Sequence, residues 1–186
     1  AKIIFDVKCT SLLPKFISEN GGEPIMSRTG HSFIKQKLKE TKAELAGEMS
    51  GHIFFKERWY GFDDALYTGA RLLEIISKSN KSCSEIFDEM PVNISTPEIN
   101  INFEKHGQQF EAMDKLSVDV NFPNATINTI DGVRVDYENC WGLVRASNTT
   151  PCLVLRFEAN DNESLNKIKA KFAQWLRSNG ISSDSL

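Results

Sequence analysis

The sequence predicts an α/β domain followed by a small α+β domain with an antiparallel sheet and two helices. Three observations predict this. Strand-like and helix-like segments alternate through the first half, the order that builds a parallel or mixed sheet. Between Met90 and Pro97 the pattern breaks, with Pro91 and Pro97 bracketing polar residues; the boundary is placed there, dividing 1–91 from 92–186. Beyond it, short strand-like runs flank turn signals, with a helical segment toward each end.

In the first domain, Lys2 to Val7 is a short apolar run of buried-strand type, and Leu12, Leu13, Phe16 and Ile17 recur at helical spacing before the Gly21-Gly22 stop. Glu23 to Ser27 reads as a strand, and a helix is expected from about Ser32 to Lys42. Glu44 to Ala46 and Ile53 to Phe55 read as strands around the loop Gly47 to His52. Phe62-Asp63-Asp64 opens a helix through Ser77 whose Leu66, Ala70, Leu72, Leu73 and Ile76 form an apolar stripe.

In the second domain, Ile99, Ile101 and Phe103 alternate with polar residues as in a half-buried strand, and Gln108 to Val120 reads as a helix. Asp131-Gly132 between Thr126 to Ile130 and Val133 to Tyr137 is a strong hairpin signal. Leu143 to Arg145 and Leu153 to Phe157 are strands around the loop Ala146 to Pro151. Asn160 with Glu163 suits a capping box, Asp161 being a rival N-cap, and Leu165, Ile168, Phe172 and Leu176 line a last helix that closes near Gly180.

With 186 residues, 22 Lys plus Arg, 25 Asp plus Glu and a net charge of -3, the chain has no basic run suited to nucleic acid or anionic membrane. No apolar stretch approaches the length that spans a bilayer, and the N-terminal residues do not read as a signal peptide. Cys9, Cys83, Cys140 and Cys152 are far apart in sequence; they read as reduced thiols of a cytoplasmic protein. Neither they nor His31, His52 and His106 show metal-ligand spacing.

Two loops carry chemistry. Gly47-Glu48-Met49-Ser50-Gly51-His52 presents a carboxylate, a hydroxyl and an imidazole together; a carboxylate accepts from vicinal hydroxyls, which suits a sugar ring. A plain hairpin with incidental polar residues fits the same pattern. Arg145-Ala146-Ser147-Asn148-Thr149-Thr150-Pro151 combines a guanidinium fork with hydroxyls and an amide, the donor set of a phosphomonoester cradle, although such residues also crowd ordinary turns. Lys8 follows the first strand, where α/β sheets place ligand contacts; a solvated lysine is the ordinary reading. His31, after Thr29-Gly30, sits at a strand-to-helix turn, and His52 beside Glu48 is a candidate acid/base. The aromatic run Phe54 to Phe62 is read as core and loop packing rather than as a base-stacking surface.

These two loops, in this order, together with Phe54-Phe55-Lys56-Glu57-Arg58-Trp59, Asp131-Gly132-Val133-Arg134-Val135, Asp6-Val7-Lys8-Cys9-Thr10 and Thr29-Gly30-His31, resemble the bacterial phosphomannomutase/phosphoglucomutase family of the α-D-phosphohexomutase superfamily. The resemblance covers essentially the whole chain and implies most of domain three, an N-terminally truncated and therefore partial mixed α/β sheet domain, plus domain four, a small antiparallel-sheet domain with two helices, of a four-domain isomerase. The catalytic phosphoserine loop and the triple-aspartate magnesium loop of that family are not in the sequence. The implied protein is therefore the C-terminal substrate-recognition half of an enzyme that interconverts 1-phospho and 6-phospho forms of mannose or glucose through a bisphosphorylated sugar, and the chain alone is expected to be inactive.

Carried over residue by residue, the resemblance implies that Glu48 and Ser50 bind sugar hydroxyls and that Arg145, Ser147, Asn148 and Thr149 hold the phosphate not being transferred, with Ala146 in the same loop. Lys8, Thr29, Gly30 and His31, and Met49 and Gly51 beside Glu48, complete the substrate contacts. His52 takes a proton-transfer or positioning role. Met49 stands where the glucosamine-phosphate branch carries Gln. The implied cofactors are magnesium, with ligands outside this chain, and a hexose 1,6-bisphosphate. The implied partners are hexose phosphates and the N-terminal domains of the same protein, in a full-length monomer. A free-standing sugar-phosphate binding module and a phosphoglucosamine mutase fragment are the alternatives.

Overall fold

A computed structural model describes all residues 1–186, and the chain divides into two compact units, Ala1–Val92 and Asn93–Leu186. In the first unit, β1 (Lys2–Asp6) lies between β2 (Glu23–Ser27) and β3 (Leu45–Gly47), parallel to both, and β4 (Ile53–Phe55) runs antiparallel to β3. The register pairs Asp6 with Ser27 and Phe5 with Gly47. The three parallel strands therefore end level, and the loops that follow them leave from one edge of the sheet.

Alternation along β1 explains the two packed faces. Ile4 joins Ala46, Phe54 and, from α2 (His31–Thr41), Ile34 and Leu38, all buried. Phe5 turns the other way, onto Cys9 and Ile17, the latter from α1 (Leu12–Glu19).

Two elements depart from the sequence reading. The helix α3 (Ala65–Ser77) forms, capped by the Asp64 carboxylate accepting from the Tyr67 N–H at 2.9 Å, but its apolar stripe is not buried. Leu66 is 89% and Leu73 66% exposed. The helix faces edge strand β4 with a different row: the Tyr67 ring meets Phe55 edge-on at 5.5 Å, and the Arg71 guanidinium lies 4.6 Å from the Phe55 centroid. The short α4 (Cys83–Asp88), not foreseen, starts with a capping box formed by Ser82 and Glu85.

In the second unit, an antiparallel sheet has the order β5-β10-β9-β8-β7, from β5 (Ile94–Ser95), β7 (Thr126–Asn128), β8 (Val133–Asp136), β9 (Cys140–Ala146) and β10 (Cys152–Ala159). A further strand, β6 (Ile99–Asn102), shares β10 with β5. Val133, Val135, Val144, Leu153, Leu155 and Phe157 pack against Met113 and Leu116 of α5 (Gln108–Val118) and Ile168, Phe172 and Leu176 of α6 (Asn162–Ser178). By alternation, Arg134, Leu143 and Arg145 project from the opposite face.

In three places the second unit differs from the sequence expectation. β5 lies inside the segment read as a break. The N-cap of α6 is Asp161, whose Oδ1 accepts from the Ser164 N–H at 2.7 Å, rather than Asn160. Asp131-Gly132 does lie within a hairpin, but the paired residues nearest the turn are Asn128 and Arg134, so the connection is longer than two residues. Gly132 has φ +77, and a Cβ there would lie 2.2 Å from the Val144 carbonyl oxygen; this close approach requires glycine.

Candidate functional site

The first group of candidate side chains follows the level ends of β1, β2 and β3. In the loop after β3, the Glu48 N–H donates to the His52 carbonyl and the Gly51 N–H to the Glu48 carbonyl, each at 2.9 Å, with Gly51 at φ +93. This tight turn holds Glu48, only 8% exposed. Its Oε1 accepts from the Gly30 N–H at 3.2 Å, at the N-terminus of α2, where a carboxylate is favoured. Its Oε2 accepts from the Ser50 hydroxyl at 3.4 Å. Each carboxylate oxygen has a second lone pair that can accept from a ligand hydroxyl.

Lys8 is 7% exposed, so the ordinary reading of a solvated lysine does not hold. Thr29 donates its hydroxyl to the Asp6 carboxylate at 3.0 Å, while His31 opens α2 and is exposed. Ser50 and Gly51 are exposed, but the Met49 side chain packs on the Phe5–Cys9–Ile17 cluster. His52 is held by a different carboxylate: its Nδ1 lies 2.6 Å from that of Asp63. With Nδ1 engaged, Nε2 is the ring nitrogen left for a ligand. The neighbouring aromatics pack on one another, Trp59 stacking on Tyr67 at 4.2 Å.

The second group occupies the β9–β10 loop. Arg145 is 6% exposed and donates its Nε–H to Asp131 at 2.9 Å. The Ser147 hydroxyl lies 2.7 Å from that of Thr150 and accepts the Thr150 N–H at 3.2 Å. The buried Gln109 of α5 donates to the Ser147 carbonyl at 3.3 Å. Ala146 turns toward the core, and Asn148 and Thr149 are exposed. The arrangement offers guanidinium, hydroxyl and amide donors, the chemistry of an oxyanion cradle.

Sequence reasoning assigned no site role to Asp6, Asp63, Gln109 or Asp131. Asp6 had a legible signal, since an acidic residue inside the apolar run Ile3 to Val7 marks a buried carboxylate. The other three act through partners distant in sequence. No group of three or more His, Cys, Asp or Glu side chains comes together to hold a metal ion.

A mixed sheet presenting a buried carboxylate and lysine at its strand ends, followed by an antiparallel domain with an Arg-Ala-Ser-Asn-Thr loop, is the architecture of the last two domains of a hexose-phosphate mutase. The chain belongs to the phosphoglucomutase/phosphomannomutase family: its alpha/beta/alpha domain III model matches residues 1–93, and its C-terminal domain model matches residues 98–174. A phosphomannomutase/phosphoglucomutase of Pseudomonas putida is 58% identical over 95% of the chain, which covers 38% of that protein. A phosphoglucomutase of Neisseria gonorrhoeae is 54% identical over 96% of the chain, covering 39% of that protein. The crystal structure of a phosphoglucomutase/phosphomannomutase family protein from Burkholderia thailandensis matches the whole chain with a TM-score of 0.90 and 48% identity, across 39% of its own chain. The chain thus spans about two fifths of the length of these relatives.

Proposed function

We propose that the complete protein is a phosphohexomutase acting on mannose and glucose phosphates in the cytoplasm, and that this chain supplies its sugar and phosphate recognition. The observation that carries the reading is Glu48, a buried carboxylate oriented by the Gly30 N–H and the Ser50 hydroxyl with acceptor capacity to spare. In this reading Glu48 and Ser50 hold sugar hydroxyls, while Arg145, Ser147, Asn148 and Thr149 hold a phosphate. Lys8 and His31 add ligand contacts, and His52 holds or moves a proton at Nε2. The phosphoryl carrier and the ligands for magnesium come from the N-terminal domains, and a hexose 1,6-bisphosphate is the intermediate. Met49 favours this branch over the glucosamine-phosphate one.

The test is a coupled assay on the complete protein with mannose 1-phosphate and glucose 1-phosphate as substrates. Turnover that requires the bisphosphate activator, with Glu48→Gln raising KM about tenfold, is the expected result. No turnover of either substrate by the complete protein overturns the reading. The chain alone is expected to show none.

A further inference from the structure

Asp6 is fully buried, and its carboxylate takes donors from three different loops. Its Oδ1 accepts from the Lys8 N–H at 3.2 Å, from the Cys9 thiol at 3.2 Å and from the Met49 N–H at 3.3 Å; its Oδ2 accepts from the Thr29 hydroxyl at 3.0 Å. A carboxylate removed from water is costly unless its lone pairs are filled. Here the donors that fill them come from the loops after β1, β2 and β3, which carry Lys8, Thr29 and Glu48. The Asp6 carboxylate is closed off from solvent, so it acts on a ligand only through the groups it holds.

We propose that Asp6 is a positioning residue of the sugar site, whose carboxylate sets the Lys8, Thr29 and Met49 loops in register and thereby sets ligand affinity. The proposal rests on reading these loops as a sugar-binding site. It assigns a role beyond filling the core, and the two separate by kinetics. Loss of folded enzyme lowers apparent kcat and leaves KM unchanged, whereas loops out of register raise KM in the molecules that remain folded.

The experiment uses the complete enzyme with Asp6→Asn and Asp6→Ala. The amide keeps one acceptor oxygen and the shape of the side chain, so Asp6→Asn is expected to raise KM for glucose 1-phosphate a few-fold, and Asp6→Ala at least about tenfold. In both, hydrogen exchange over residues 47–51 and 28–30 should quicken. An unchanged KM with unchanged exchange in these segments overturns the proposal. If neither variant folds, the wild type decides it: the Met49 amide should exchange at least tenfold more slowly than that of Ser50, and equal rates refute the bond. If the wild type neither turns over nor binds glucose 1-phosphate, the sugar-site reading fails, while the exchange measurements still judge the loop-registering role of Asp6.

Discussion

Arg145 and Asp131 form an ion pair whose Nε to Oδ2 distance is 2.9 Å and whose side chains are only 7% and 9% exposed. The bond fixes the rotation of the guanidinium plane, and the terminal nitrogens remain to make a bidentate contact. In the complete enzyme, Arg145→Ala is expected to lower kcat/KM for mannose 1-phosphate at least tenfold, and more than Arg145→Lys, which keeps charge without the fork. Asp131→Asn, which leaves Arg145 without its counter-charge, should give a smaller loss. Wild-type kinetics in Arg145→Ala would remove this loop from the site.

Gly132→Ala should destabilise the second unit by on the order of 3 kcal/mol. The new methyl would meet the backbone of Val144 and the Cα of Arg145, the latter 2.7 Å away, at a φ of +77 that side chains rarely adopt. Backbone cannot rotate aside as a side chain can. Urea denaturation checks this, and an unchanged midpoint would contradict the close approach.

The four cysteines should differ in reactivity. All are free thiols; Cys83 is exposed, Cys9 and Cys152 are buried, and burial pushes the Cys140 thiol above its ordinary range despite the nearby Lys171 charge. Because the thiolate is the nucleophile, a disulfide reagent at mild alkaline pH should label Cys83 first and Cys140 slowly. Peptide mapping of the first labelled site gives the answer, and Cys140 as the fastest would refute it.

The surface network on α3 should be acid-sensitive. Hydrogen bonds from Arg58 and Lys78 lower the Glu74 carboxyl to about 2. A depressed carboxyl contributes stability that is present above the ordinary carboxylate range and is lost as pH falls toward 2. The stability difference between wild type and Glu74→Gln should therefore hold near neutrality, shrink below about pH 4.5 and diminish with salt. A difference that persists at pH 2 would show that packing, not charge, is responsible.

Period and punctuation made most elements legible in the sequence. The alternation of Ile99, Ile101 and Phe103 and the helical spacing of Ile168, Phe172 and Leu176 mark faces that are buried in the fold, because burial and periodicity express the same packing. The errors lie where tertiary partners decide. Asp131 spends its carboxylate on Arg145, fourteen residues away, instead of on a tight turn. His52 meets Asp63, eleven residues on, a partner that no local pattern announces. For the candidate site, residue types and loop order were readable; which donor meets which acceptor was not, because that depends on how the sheets bring distant loops together.

The outward row of α3 has a consequence for handling. Leu66 and Leu73 are both exposed on one face of that helix, so water is in contact with side chains that would lower the free energy by associating. The chain in isolation should behave like a weak surfactant: monodisperse when dilute, self-associating as concentration rises, and more so in sulfate than in low salt. Replacing Leu66 and Leu73 with Lys and Glu should raise its solubility limit and leave its melting temperature in place, since neither leucine contributes a buried contact to lose.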